Sequence, residues 1–134
     1  MAESPFIAIV DDDASVRKAT ATLLESYGYS TAAFGSAEAF LRSGRVSGAG
    51  CLVTDLYMPG INGVELRRHL VGAGHRLPTI FITAHADGHM HAQALKCGPI
   101  ALLLKPVTEQ RLLAFYRRCP QICSRNTKVL NGPS

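Results

Sequence analysis

A chain of 134 residues is the size of one domain, long enough for a single hydrophobic core and too short for two. With 47% hydrophobic residues, 18% charged residues and no low-complexity tract, the composition excludes a disordered chain. No apolar run approaches the roughly 20 residues that a membrane helix needs, so no membrane span is expected. The N-terminal Met-Ala-Glu-Ser-Pro has neither the basic nor the apolar part of a secretory signal, which makes the cytoplasm the expected compartment.

The net charge of +4 is unevenly placed. Residues 1–110 carry nine Lys/Arg against all ten Asp/Glu, whereas residues 111–134 carry five basic residues and no acid. The excess is therefore C-terminal, a solvated basic end or one that touches an acidic partner or nucleic acid, and composition leaves both open. Four cysteines, Cys51, Cys97, Cys119 and Cys123, form no C-x-x-C pair and are expected to pack as small hydrophobes. His85, His89 and His91 have the right chemistry for a metal but fit neither HExxH nor a zinc-finger spacing, so no zinc site is assigned to them.

In chain order, Phe6 to Val10 is an apolar run ending in three aspartates, as expected of a strand buried on both faces that finishes at a solvent edge. Val16, Ala19, Leu23, Leu24 and Tyr27 recur at helical spacing, with Asp13 as N-cap and Gly28 as the stop. Ser30 to Phe34 reads as a second strand, Ser36 as the cap of a short helix carrying Phe40 and Leu41, and Gly44 to Gly50 as a loop. Cys51 to Thr54 leads as a third strand into Asp55 and the turn Met58-Pro59-Gly60. Asn62 and Glu65 have the spacing of a capping box for a helix reaching about Gly72.

Thr79 to Thr83 is the fourth strand, and a helix from about Gly88 to Cys97 stops at Gly98. Ile100 to Leu104 is the fifth strand. A last helix is capped at Thr108, buries Leu112, Phe115, Tyr116 and Cys119, and ends at Pro120. Alternating strands and helices with short links give the α/β class, a parallel sheet covered by helices on both faces.

In such sheets the chemistry sits beyond the C-terminal ends of the strands. Those ends carry Asp11, Asp12 and Asp13, then Asp55, Thr83 and Lys105. Crowded carboxylates repel one another unless a cation is shared, and hard oxygen donors suit Mg²⁺. Lys and Thr are the ammonium and hydroxyl that a bound phosphoryl group needs on its remaining oxygens. One carboxylate can then act as nucleophile and become an aspartyl phosphate. Asp13 is set apart from this group as a helix cap.

The segments I-V-D-D-D-A-S-V-R, L-V-T-D-L-Y-M-P-G-I-N-G-V-E-L, I-F-I-T-A-H and L-L-K-P resemble the receiver domain of bacterial two-component response regulators, closest to the FixJ-type receivers. The likeness runs from about Phe6 to Cys119 and implies a receiver domain over residues 1–119, with 120–134 as a basic tail or linker. It implies a flavodoxin-like, three-layer fold: a five-stranded parallel sheet in the order 2-1-3-4-5 with five helices. By resemblance Asp55 is the phosphoacceptor, Asp11, Asp12 and Asp55 hold Mg²⁺ with the backbone carbonyl of Tyr57, and Thr83 and Lys105 close on the phosphoryl group. The Lys105-Pro106 bond is similar to a cis peptide of the family.

Two positions depart from the family pattern. Leu102 stands where a Tyr or Phe usually reports phosphorylation, and Gly98-Pro99 replaces the usual Gly-Ala. Both leave the phosphorylation chemistry untouched and imply a weakened relay to the output face.

The resemblance implies a switch and not an enzyme. Its partners are a sensor histidine kinase and a downstream protein or output domain, with a phosphorylation-dependent homodimer among the outputs it allows and no direct nucleic-acid or membrane contact by the receiver. Two alternatives compete with it. A Mg²⁺-dependent phosphohydrolase of the haloacid-dehalogenase type would show D-x-D-x-T/V after the first strand, whereas here the acids are contiguous and no cap domain fits. A DNA-binding regulator would need a helix-turn-helix, for which too little follows Pro120, so the chain reads as a stand-alone receiver or as the N-terminal fragment of such a regulator.

Overall fold

The computed structural model describes residues 5–84, 88–99 and 101–105, together with Gln110 and Ala114. The elements are β1 (Phe6–Val10), α1 (Ala14–Ser26), β2 (Thr31–Phe34), α2 (Ala37–Arg42), a 3-10 turn (Val46–Gly48), β3 (Ala49–Asp55), α3 (Gly63–Gly72), β4 (Thr79–Thr83), α4 (His89–Lys96) and β5 (Ala101–Leu104). All five strands run parallel in the order β2-β1-β3-β4-β5, which is the expected α/β topology. Four α-helices fall among the described residues. The expected last helix, with Thr108, Leu112, Phe115, Tyr116, Cys119 and Pro120, lies outside them, as do His85, Ile100, Cys123, the Lys105-Pro106 bond and the tail 120–134.

Alternate residues of each strand feed opposite layers of core, because successive side chains point to opposite faces. Ile7, Ile9, Cys51, Val53, Ile80 and Ile82 form one layer with Leu24 of α1. On the other face Phe6, Ala8, Val10 and Leu52 pack with Phe40 of α2 and Leu66 and Leu70 of α3. A third cluster, Leu56, Val64, Phe81 and Ala94, joins α3 and α4 over β4, with Met90, Cys97 and Leu102 packed against it. Cys51 and Cys97 are free thiols within this packing, as expected of small hydrophobes.

The caps form where the side-chain oxygens predict them. Asp13 accepts from the amides of Ser15 and Val16, Ser36 accepts from Ala39, and Asn62 and Glu65 close a reciprocal capping box. Arg67 of α3 ties three elements together by donating to the carbonyls of Leu77 and Cys97 (3.4 Å for the latter) and to Oγ1 of Thr79 at 3.1 Å. Burial lowers its pKa, with Cys97 opposing the shift, and the guanidinium lies against the carbonyl that ends α4, where a cation is favoured.

Two expectations are corrected. On α1, Val16, Leu23 and Leu24 face inward as expected, joined by Arg17, Thr20 and Ala21, while Ala19 and Tyr27 are exposed. Arg17 shares the inward side with its guanidinium on the Asp11 carbonyl at the sheet edge. Ala49 and Gly50 are not loop but the start of β3: Ala49 pairs with Phe6, and ladder pairing overrides the weak strand propensity of Ala and Gly.

Candidate functional site

The three consecutive aspartates after β1 separate into three roles because each leaves the strand in a different direction. Asp11 continues the ladder by donating its amide to Phe34 O (3.2 Å), and its side chain turns inward and is buried. Asp12 is exposed at the rim. Asp13 caps α1, and its amide donates to Asp11 Oδ1 at 2.9 Å.

At the end of the central strand β3, Asp55 is also buried. One carboxylate oxygen from each of Asp11, Asp12 and Asp55 lies within 4.8 Å of the other two. Among the described residues this is the group able to hold a metal ion. Lys105, directly after β5, reaches back over the sheet, its Nζ 2.9 Å from Asp55 Oδ2 and 3.3 Å from Asp11 Oδ2. The Lys105 amide donates to the Thr83 carbonyl at 2.8 Å, which joins the ends of β4 and β5. Thr83 is buried, one residue past the Ile82 that pairs with Asp55. Tyr57 is 40% exposed, while its amide donates to Asp55 Oδ1 at 3.3 Å. Asp11, Asp12, Asp55, Thr83, Lys105 and Tyr57 therefore share one rim of the sheet.

The electrostatics of the cluster follow from burying like charges together. Desolvation holds the Asp11 carboxyl above its ordinary value of 3.8. Asp55 pushes in the same direction, against the Asp13 amide and Lys105. Burial disfavours the Lys105 ammonium, yet the hydrogen bond and charge of Asp55, with Asp11, outweigh it and leave its pKa above 10.5. One ammonium thus faces three carboxylates. The remaining negative charge and the all-oxygen donor set fit a hard divalent cation of the Mg²⁺ kind.

Sequence reading missed two supporting residues. Arg17 donates from Nη1 to the Asp11 carbonyl at 2.7 Å and so fixes the backbone from which Asp11 projects. Glu38 of α2 accepts from the Ile61 amide at 3.2 Å, in the loop that follows Asp55. Arg17 had a legible signal, being one turn past the capping Asp13. Glu38 had none, since its partner is 23 residues away. His89 Nε2 lies 2.8 Å from Gln93 Nε2 on the exposed side of α4, and among the described residues no histidine joins the group able to hold a metal.

Residues 7–117 match the family described as the response regulator receiver domain. The chain is 39% identical over 111 residues to the response regulator protein TodT of Pseudomonas putida, covering 83% of this chain and 49% of TodT. It is 39% identical over 117 residues to the transcriptional regulatory protein FixJ of Azorhizobium caulinodans, covering 87% of this chain and 56% of FixJ. The chain thus spans about half the length of the curated relatives it matches. Among solved structures, the crystal structure of FixJ-N superposes with a TM-score of 0.77 at 35% identity, covering 87% of this chain and 94% of that one. The response regulator StyR superposes with a TM-score of 0.82 at 37% identity, covering 97% and 66%. Sheet order and matched stretch agree, and the chain belongs to the receiver-domain family of two-component response regulators.

Proposed function

We propose that Asp55 is the phosphoacceptor of a phosphorylation switch. A carboxylate oxygen of Asp55 attacks the phosphorus of a phosphohistidine on a sensor histidine kinase. The P–O bond forms as the P–N bond breaks, and the imidazole takes up a proton. Asp11, Asp12, Asp55 and the Tyr57 carbonyl would hold Mg²⁺, which supplies charge neutralisation to the phosphoryl oxygens. Lys105, now on Asp55 Oδ2, would transfer to a phosphoryl oxygen, and the Thr83 hydroxyl would close on another. The phosphoryl group ends on the protein itself, so the domain signals rather than turning over a separate substrate. Its partners in this reading are the kinase and a downstream protein or output domain in the cytoplasm, with residues 1–119 as the receiver and 120–134 as a basic tail.

The observation that carries this reading is the Asp55–Lys105 pair at 2.9 Å, set beside two further carboxylates at the end of the central strand. The test is mass spectrometry after incubation with acetyl phosphate and Mg²⁺. Wild-type protein should gain one phosphoryl group and Asp55→Asn none; equal labelling of the two would sink the assignment.

A further inference from the structure

We propose that Glu38 is a positioning residue for phosphorylation: its carboxylate clasps the β3–α3 loop and so holds the backbone that orients Asp55. The inference rests on the reading of Asp55 as phosphoacceptor.

The loop between Asp55 and α3 is closed at its ends and needs support in its middle. At the ends, the Gly63 amide donates to Leu56 O at 3.0 Å, and α3 starts so close to β3 that a side chain at position 63 would overlap the Asp55 carbonyl. In the middle, the Ile61 amide donates to Glu38 Oε2, and the next amide, that of Asn62, donates to Glu65 in the capping box. Gly60 has φ +79°, and a Cβ there would overlap Glu38 Oε2, so the loop backbone rests directly on the carboxylate. At positive φ, a side chain here would be strained and would have to push the Glu38 carboxylate aside, so the position favours glycine.

Glu38 has a rigid base. It lies in the first turn of α2, which Ser36 caps and which buries Ala37 and Phe40 completely. Glu38 is partly buried, and its bond to the Ile61 amide is charge-assisted. Upstream in the same loop, the Tyr57 amide contacts Asp55 Oδ1, and the Tyr57 carbonyl belongs to the proposed metal set. Loosening Ile61 therefore loosens the segment that aims the nucleophile, and ordering it again must be done at the moment of reaction.

The experiment compares wild-type, Glu38→Ala, Glu38→Gln and Gly60→Ala proteins. Acetyl phosphate labelling is measured across a Mg²⁺ titration, and hydrogen exchange of the Ile61 and Tyr57 amides is followed by NMR without metal. Glu38→Ala should raise the Mg²⁺ concentration for half-maximal labelling about five-fold and speed exchange at Ile61. Glu38→Gln keeps a carbonyl oxygen that can accept from Ile61 and should recover most of both effects. Gly60→Ala should shift the Mg²⁺ midpoint in the same direction, and combining it with Glu38→Ala should give less than the sum, because the overlap is then relieved. The positioning role is overturned if Glu38→Ala labels with the wild-type Mg²⁺ dependence, if Glu38→Gln is as impaired as Glu38→Ala, or if Gly60→Ala is indifferent. Unlabelled wild-type protein would instead overturn the phosphoacceptor reading and this one with it.

Discussion

Lys105 Nζ stands 2.9 Å from Asp55 Oδ2, across 50 residues of chain, and is the one cation that the described structure sets directly on the carboxylate cluster. Its side chain is 24% exposed, so the pair is only partly screened by solvent. Replacing Lys105 with Met leaves Asp11 and Asp55 facing each other without compensation. The metal-free variant should lose about 2 kcal/mol of stability, the scale of a partly buried pair broken on one side. Mg²⁺ should then raise its melting temperature more than it raises that of the wild type. A smaller Mg²⁺ shift in the variant, read by calorimetry, would contradict the arrangement.

Asp12 differs from Asp11 and Asp55, the other carboxylates of the cluster, in being exposed. Its removal should change metal-free stability by no more than about 0.5 kcal/mol, as for most surface sites. Mg²⁺ at a hundredfold excess over its dissociation constant should stabilise the wild type by about 2.7 kcal/mol by linkage. Asp12→Ala should lose most of that gain. Equal Mg²⁺-induced melting shifts in the two proteins would remove Asp12 from the metal set.

The raised pKa of Asp11 makes a signed prediction for pH. Between its unfolded value near 3.8 and the higher folded value, the folded state binds more protons than the unfolded one. The contribution of Asp11 to stability is therefore fully present below 3.8 and is lost as pH rises through the folded pKa. Asp11→Asn cannot ionise, so the stability difference between variant and wild type, without metal, should move in favour of the variant as pH rises across that window. Urea unfolding at a series of pH values tests this, and a constant difference would refute it.

Leu102 pairs with Phe81 in the β4–β5 ladder and packs against the cluster of Leu56, Val64, Phe81 and Ala94 under α4. It has no ring to turn and no hydroxyl to satisfy. Its inward and outward states should therefore differ little in energy, and a ligand shifts an equilibrium only by the difference it makes between states. Beryllofluoride, as a phosphoryl mimic, should strongly shift the amide signals of Asp55, Thr83 and Lys105 and only slightly those around Leu102. Leu102→Tyr should enlarge the second set. Large shifts around Leu102 in the wild type would show that another residue carries the relay.

Much of the fold was legible in the chain because strands buried on both faces, helix caps and stops are local devices. The run Phe6–Val10, the caps at Asp13 and Ser36 and the Asn62–Glu65 box all declared themselves within a few residues. Acid, hydroxyl and lysine at successive strand ends were readable for the same reason, and the parallel α/β pattern implied that those ends meet.

Sequence alone could not say which of three adjacent aspartates turns inward, that Arg17 rather than Ala19 lies on the buried stripe of α1, or that Glu38 supports the loop after Asp55. Each depends on which strands and helices become neighbours. The Asp11–Lys105 contact spans 94 residues, and the Glu38–Ile61 contact spans 23. Such pairs form only when the packing of the whole sheet sets the distance between their backbones, and no local period or cap carries that information. The sequence determined the elements and the chemistry at their ends; the tertiary structure decided the aim of each side chain.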